Sequence, residues 1–153
     1  MSSSGAFQYA LKLLAYRSRS VAELKVKLSR KGFTEDEADA ALQRLVGLGY
    51  IDDPALSEAL ARQARENRRF GKKGAMAFLL KRGIPPGLAA SALTGYDESE
   101  GAKEVARKKL RGMKHVGPEA MRRRLYGALA RRGYSADTIK KVFSSIIKEE
   151  DEL

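Results

Sequence analysis

The 153-residue chain contains no cysteine, no tryptophan and a single histidine, His115. Without cysteine it can form neither disulfides nor thiolate metal sites, a composition that suits a reducing compartment, so we predict a cytoplasmic location. A zinc site usually takes several nitrogen or sulfur ligands; one histidine in the polar turn Lys114–Gly117 is therefore expected on the surface, and we predict no metal. No apolar run approaches the roughly 20 residues that span a bilayer, so no membrane partner is expected.

Groups that carry out catalysis are also scarce. The chain has no Gly-x-Ser-x-Gly elbow and no glycine-rich phosphate loop ending in Lys-Ser or Lys-Thr. The adjacent carboxylates Asp52 and Asp53 precede Pro54, and we interpret them as helix capping, with Asp53 as the N-cap, rather than as a magnesium site. We predict no catalytic residues and no cofactor, although a hydrolase with its site hidden among the helices stays open as a third possibility.

What the chain does have is one short phrase that occurs three times. The copies are Leu28–Phe33, Leu79–Ile84 and Leu129–Tyr134, and their glycines are separated by 51 and then 50 residues. Each copy has the pattern of a helix end: basic residues in the last turn, a glycine that accepts the left-handed conformation, then an apolar residue. A constant period of this length is typical of a repeat architecture built from one supersecondary unit.

Helical patterning continues between these copies. Ser20 with Glu23 and Thr34 with Glu37 have the spacing of a capping box, which predicts two helix starts. No segment alternates apolar and polar residues as a half-buried strand does. We therefore predict an all-α chain of nine helices, grouped as three tandem three-helix repeats.

The same spacing predicts which faces are buried. Val46 is expected to point inward at the end of the third helix, and Ala59 is expected in the buried stripe of the fourth. The last helix has the most apolar face of the chain, which includes Phe143 and Ile147. These faces predict small neighbouring cores, as in other repeat arrays.

The three predicted repeats differ in charge. Residues 1–53 carry a net charge of +1, residues 54–100 carry +3, and residues 101–153 carry +7 even with their acidic C-terminal tail, Glu149–Glu152. With a total of +11, this asymmetry indicates a polyanionic partner for the second and third repeats.

Basic residues at helical spacing are the candidate contacts with that partner. Arginine is suited to phosphate or carboxylate because its planar fork can bond two oxygens at once. The alternative is an ordinary solvated basic face. Phe70 and Tyr126 could stack on bases or pack in the core. The predicted contact residues are Arg65, Arg68, Arg69, Lys72, Lys73, Arg107, Arg111, Arg124, Arg131 and Arg132.

The chain resembles the RecX family of recombination regulators from about Ala10 to Ile147. The resemblance is carried by Gly49-Tyr50-Ile51-Asp52-Asp53, by Arg-x-x-x-x-x-Gly-x-x-Gly from Arg65, and by Lys81-Arg82-Gly83-Ile84. It implies an elongated, curved array of three-helix repeats that lies in the groove of a RecA filament on single-stranded DNA. It also implies a role in homologous recombination and DNA repair, in which ATP hydrolysis and strand exchange by RecA are depressed.

Two features depart from the family pattern. Many relatives carry an aromatic residue near the position of Ala64, and the C-terminal part of this chain is unusually basic. The partners implied are a RecA filament and single-stranded, possibly also double-stranded, DNA, bound by a monomer. The alternative is a free-standing basic helical protein that binds DNA without a recombinase.

Overall fold

A computed structural model describes the backbone of residues 2–151 and the side chains of residues 2–146. Over these residues the chain is all-α, with nine helices and no strand, which confirms the predicted fold class of tandem three-helix repeats. Predicted features at Ile147 and Glu149–Glu152 lie outside the described side chains. The helices are α1 (Ser3–Tyr16), α2 (Val21–Lys31), α3 (Glu35–Gly47), α4 (Asp53–Glu66), α5 (Lys72–Lys81), α6 (Pro86–Ala92), α7 (Ser99–Arg111), α8 (Pro118–Arg131) and α9 (Ala136–Asp151).

The repeated phrase ends α2, α5 and α8 in the same way. Its glycines Gly32, Gly83 and Gly133 have φ angles of 107°, 81° and 87°, the left-handed conformation predicted for them. The residue after each glycine donates its backbone N–H to the carbonyl of the leucine that opens the phrase, at 3.1, 3.1 and 3.2 Å. This hydrogen bond closes a Schellman motif, which satisfies carbonyls that the helix end leaves open.

The two predicted capping boxes open α2 and α3. The Ser20 hydroxyl accepts the N–H of Glu23, and the Glu23 carboxylate accepts the N–H of Ser20, each at 3.1 Å. Thr34 and Glu37 form the same reciprocal pair at 3.2 and 2.8 Å. These predictions are confirmed because both partners of a capping box are fixed by sequence spacing alone.

The cap of α4 differs from the prediction. Asp52, rather than Asp53, accepts the backbone N–H of Ala55, at 3.0 Å, and so takes the N-cap position. Asp53 instead accepts the N–H of Val21, the first residue of α2, at 3.2 Å. Burial raises the pKa of Asp53 and outweighs the lowering by that hydrogen bond. The two carboxylates serve different helices, which favours capping over a shared metal site.

Contacts between Cα atoms group the chain into two compact units. Unit 1 comprises Met1–Leu60 with Leu79–Ala92, and unit 2 comprises Ala61–Phe78 with Leu93–Leu153. Two of the unit boundaries fall inside α4 and α5, and the third falls at the end of α6. They do not test the limits of the three predicted repeats, which stay a prediction.

Each unit has its own apolar core. The core of unit 1 is built from α1, α2 and α3, and its largest fully buried side chains are Leu24, Leu28 and Leu45. The core of unit 2 is built from α7, α8 and α9, with Leu129 and Ile139 fully buried. The core of unit 2 therefore supports α7 and α8, which carry five and four basic residues.

Two residues predicted to be buried are exposed. Val46 leaves 48% of its surface accessible, and Ala59 is also exposed. At about 100° per residue, Ala59 falls roughly 100° from the centre of the stripe formed by Leu56, Leu60 and Ala64. Spacing alone made that stripe too wide.

Candidate functional site

Unit 2 contains a groove of about 1640 Å³, lined by α7, α8 and the loop that joins α4 to α5. Among the residues that the structure describes, Glu104 is the one acid in its lining. Such a concentration of cations gives the groove a strongly positive potential suited to phosphate or carboxylate groups. The ten basic lining residues are Arg68, Arg69, Arg107, Lys108, Lys109, Arg111, Arg123, Arg124, Arg131 and Arg132.

Helix α7 supplies four of these cations. Ala102, Val105 and Ala106 are buried in the core of unit 2, which leaves the basic side of the helix exposed. Arg107 and Arg111 are four residues apart and therefore neighbours on that side. The two lysines that follow Arg107 widen the basic stripe.

Helix α8 supplies three more. Leu125 and Leu129 are buried, while Arg124 and Arg131, seven residues apart, share the exposed face. A Cβ at Gly127 would come within 3.0 Å of Nη1 of Arg131, so the guanidinium lies back over the helix at this glycine. Glycine inside a helix costs about 1 kcal/mol relative to alanine, and here it leaves room for a groove side chain.

The loop of residues 67–70 supplies the remaining wall of the groove. Each backbone carbonyl from residue 68 to residue 70 accepts a hydrogen bond from a side chain. Arg132 Nη1 donates to the carbonyl of Arg68 at 2.6 Å, and Tyr96 donates its hydroxyl to the carbonyl of Phe70 at 2.7 Å. The hydroxyl of Tyr134 donates to the carbonyl of Arg69. Arg69 itself has a φ of 53°, the left-handed region, which is uncommon outside glycine.

The charges within the groove are partly paired. Arg69 Nη2 lies 2.8 Å from Glu104 Oε2, with both side chains about half exposed.

The two tyrosines that donate to the loop carbonyls keep their protons. Burial raises the pKa of Tyr96 to about 12, and burial also raises the pKa of Tyr134. Both hydroxyls are therefore protonated donors at neutral pH.

One carboxylate caps two helices beside the groove. Glu98 Oε2 accepts the N–H of Lys72, the first residue of α5, at 2.7 Å. Its Oε1 accepts from the N–H and hydroxyl of Ser135 and from the hydroxyl of Thr138, at 3.1, 2.9 and 2.6 Å, just before and within the first turn of α9. Burial acts to raise the pKa of Glu98, but these hydrogen bonds outweigh it and lower the pKa.

Two domain models of one family match this chain, the first three-helix domain of RecX at residues 6–45 and the third at residues 96–143. The regulatory protein RecX of Chlorobaculum tepidum is 33% identical over 96% of this chain and 91% of its own length. That of Mycolicibacterium vanbaalenii is 36% identical over 93% and 82%. The crystal structure of RecX from Lactobacillus salivarius matches with a TM-score of 0.82 and 25% identity, over 99% of this chain and 97% of its own.

The chain belongs to the RecX family. The resemblance predicted from its sequence is confirmed. Since its relatives are regulatory RecX proteins, we assign this chain a regulatory role within that family. The segment matched by the third RecX domain, residues 96–143, contains α7 and α8 and therefore most of the groove.

Seven of the ten predicted contact residues meet in this RecX groove, all except Arg65, Lys72 and Lys73. The Arg65 guanidinium lies 6.0 Å from the ring centroid of Tyr96 and pairs with Glu66 at 3.5 Å. The structure thus brings together Arg68, Arg69, Arg107, Arg111, Arg124, Arg131 and Arg132. That these residues contact a filament or DNA stays a prediction.

Three lining residues, Lys108, Lys109 and Arg123, fall outside the predicted set. The signal for them was present, because each belongs to a run of three basic residues that contains a predicted one. They lie beside the single i+3 and i+4 stripes on which the prediction was based. A groove lined by two helices includes residues from a wider part of each helix surface. Of the two aromatic candidates, Phe70 packs edge-on against Phe78 at 5.7 Å and also lines the groove, while Tyr126 is 48% exposed outside it.

In the part of the chain that the structure describes, no group of three or more histidine, aspartate or glutamate side chains could hold a metal ion. Within that part, no helix is both long enough and apolar enough to cross a membrane. What the groove offers is a cluster of cations.

Proposed function

We propose that the protein regulates a RecA recombinase by binding its filament on single-stranded DNA and depressing ATP hydrolysis and strand exchange. The observation that carries this proposal is the unit 2 groove, where ten cations meet one acid. Membership of a family of regulatory proteins supports the regulatory part. The anionic groups that the groove would meet are DNA phosphates or acidic side chains on the filament.

The lining chemistry favours backbone recognition over base recognition. Arginine and lysine dominate the groove, and Asn67 is the single amide side chain among the lining residues. Most contacts of basic side chains with nucleic acid go to phosphates and position the protein, whereas the amide side chains that read adenine are scarce in this lining. A regulator that travels with a filament along any sequence needs the first kind of contact.

Regulation follows from binding alone. A protein that binds one filament conformation better than another shifts the equilibrium between them by the ratio of the two affinities. The expected mode is therefore stoichiometric: inhibition grows with the fraction of filament sites occupied, and no turnover by the regulator is required.

The test is the ATPase rate of RecA on single-stranded DNA, titrated with this protein. Inhibition is expected well below the concentration that coats free DNA. The variant Arg111→Ala with Arg124→Ala removes two exposed groove cations and should raise the inhibitory concentration about tenfold or more, because hydrogen bonds to charged groups contribute about 1.5–3 kcal/mol each. Its matched control, Lys12→Ala with Lys27→Ala, removes the same charge from exposed positions on α1 and α2.

Free-standing DNA binding is the second candidate, favoured by the same cationic lining. It predicts that ATPase inhibition appears only when the DNA is saturated. It also predicts tight binding without recombinase, with log K falling against log salt by about 0.7 per phosphate on single strands and about 0.9 on duplex. If the groove variant and its control inhibit equally, the groove has no part in either function.

A further inference from the structure

The loop of residues 67–70 is held in an unfavourable backbone conformation. Arg69 has a φ of 53°, where an L-residue with a Cβ is strained by about 1 kcal/mol or more. Glycine would adopt this conformation without strain, yet the chain places an arginine there. The strain persists only if contacts around the loop over-determine it.

Those contacts are three consecutive hydrogen bonds from side chains of one segment, residues 96–134. The carbonyls of Arg68, Arg69 and Phe70 accept from Arg132, Tyr134 and Tyr96 respectively. A typical protein hydrogen bond contributes about 1 kcal/mol net, so three together outweigh the strain at residue 69. The loop is therefore fixed in one conformation before any ligand arrives.

A second feature of α7 makes one of these bonds possible. Gly101 lies in the first turn of α7, and a Cβ there would come within 2.8 Å of the Tyr134 hydroxyl. Tyr134 is 5% exposed, so its hydroxyl reaches the loop through space that this glycine leaves open. Glycine is less favourable than alanine inside a helix, and the hydrogen bond between Tyr134 and the loop offsets this cost.

We propose that Tyr134 is a positioning residue, whose hydroxyl holds the loop so that Arg68 and Arg69 stand ready at the groove for a phosphate-bearing strand. Tyr96 and Arg132 act on the neighbouring carbonyls by the same means. The identity of the ligand rests on the proposed function, and the preset loop deepens it. Binding to a preset loop avoids the ordering cost that a mobile loop would add.

The test uses a fluorescein-labelled 30-residue oligo(dT) and measures its fluorescence anisotropy at several salt concentrations. Tyr134→Phe removes one oxygen atom and should weaken binding about three- to tenfold, the equivalent of one lost hydrogen bond. If Arg68 also loses its phosphate contact in this variant, the slope of log K against log salt becomes shallower by about 0.7. Tyr126→Phe is the matched control, because Tyr126 is exposed and does not line the groove.

A double-mutant cycle shows whether Tyr134 acts through the loop. In an Arg68→Ala background, Tyr134→Phe should weaken binding much less than in the wild type, since the side chain that it positions is gone. Equal losses in the two backgrounds would overturn the proposal, as would wild-type affinity of Tyr134→Phe.

A second pair of variants keeps the test sharp if Tyr134→Phe folds poorly. Arg69→Gly and Arg69→Ala remove the same charge, but only glycine accepts the left-handed conformation without strain. A preset loop carries the same strain whether free or bound, so the two variants should bind equally while Arg69→Gly unfolds at the higher urea concentration. Tighter binding by Arg69→Gly would contradict a preset loop. If the wild type does not bind the oligonucleotide at about 50 mM salt, the nucleic-acid part of the proposed function fails and this inference with it. Loss of the inference alone shows as wild-type protein that binds the oligonucleotide and a Tyr134→Phe variant that binds it equally well.

Discussion

Replacing Gly133 by alanine should destabilise unit 2 far more than its left-handed backbone alone explains. A Cβ at this position would come within 3.0 Å of the backbone N and Cα of Gly74, at the start of α5. Backbone atoms cannot rotate away as a side chain can. The same approach is visible from the other side, since a Cβ on Gly71 would meet the carbonyl group of Gly133.

The expected magnitude separates into two parts. The left-handed φ of 87° costs an alanine about 1–2 kcal/mol. Moving the start of α5 away would also break the hydrogen bond from the Gly71 N–H to the Arg132 carbonyl, at 2.9 Å, and leave buried groups unpaired at about 1–3 kcal/mol. We expect a total loss of about 2–5 kcal/mol for Gly133→Ala.

Gly95→Ala is the matched control. Gly95 also has a left-handed φ, 74°, and also belongs to unit 2, but nothing lies within 4 Å of a Cβ built there. Its loss should therefore be the conformational part alone, about 1–2 kcal/mol. The two variants should therefore differ by about 1–3 kcal/mol. In a chain of this size about 1 kcal/mol shifts Tm by roughly 2–4 °C, so the expected difference in Tm is about 2–12 °C.

The assay is urea and thermal unfolding followed by circular dichroism at 222 nm. Unchanged m values would show that the variants unfold through the same transition as the wild type. Equal losses for Gly133→Ala and Gly95→Ala would refute the reasoning, because they would mean that the close backbone approach at Gly133 contributes nothing.

Three further substitutions each test a single contact or charge. Because the pKa of Glu98 is lowered, its carboxylate stabilises the fold above about pH 4.5, and this stabilisation is lost as the pH falls through the lowered pKa. Glu98→Gln should therefore reduce Tm by several degrees at pH 7 and by much less at pH 3. Glu58→Gln, at an exposed position, should leave Tm unchanged at both pH values. Glu104→Gln removes the one negative charge of the groove and should raise oligo(dT) affinity by about two- to fivefold, so weaker binding in anisotropy would contradict the electrostatic argument. The Arg82 side chain, 20% exposed, donates to the Glu23 carboxylate and to the Ser18 carbonyl. Arg82→Ala should therefore lower the free energy of unfolding in urea by about 1–2 kcal/mol, and Lys81→Ala at an exposed neighbouring position by far less. Equal losses would count against these contacts.

Much of the fold was predictable because its signals are local. A capping box, or a basic turn followed by glycine, involves residues at most five positions apart, so Ser20, Thr34 and Gly83 could be interpreted from the sequence with no knowledge of the tertiary structure. Helical period was less reliable at the edges of a stripe, where Val46 and Ala59 proved exposed. Edge positions depend on which neighbours cover them.

The candidate site was predictable in type but not in layout. Basic excess identified α7 and α8 as its helices, because charge is read directly from the sequence. The sequence could not show that Lys72 and Lys73 lie outside the groove, nor that Asp53 and Glu98 cap helices 32 and 26 residues away. Those facts depend on long-range packing, for which local spacing carries no signal.

The repeated basic phrase serves a second purpose that only the tertiary structure reveals. In unit 1 the Arg82 side chain donates to the carbonyl of Ser18, and in unit 2 Arg132 donates to the carbonyl of Arg68; both bonds span 64 residues. The phrase therefore docks the end of one helix onto the chain just before the second helix of the preceding repeat. In the first copy the equivalent residue is Lys31, whose ammonium lies 5.3 Å from the ring centroid of Tyr9.

Because of this contact, the neighbouring residues Arg131 and Arg132 of the third copy have different roles. Arg132 is committed to the loop carbonyl, whereas the side chain of its neighbour Arg131 lies back over Gly127 at the groove. Arg131→Ala should therefore weaken ligand binding with little change in Tm, while Arg132→Ala should lower Tm and weaken binding together. The two residues must be substituted singly, since a double variant would mix loss of a contact with loss of the loop that frames it. If Arg131→Ala proved the more destabilising of the two in thermal unfolding, this division of roles would be wrong.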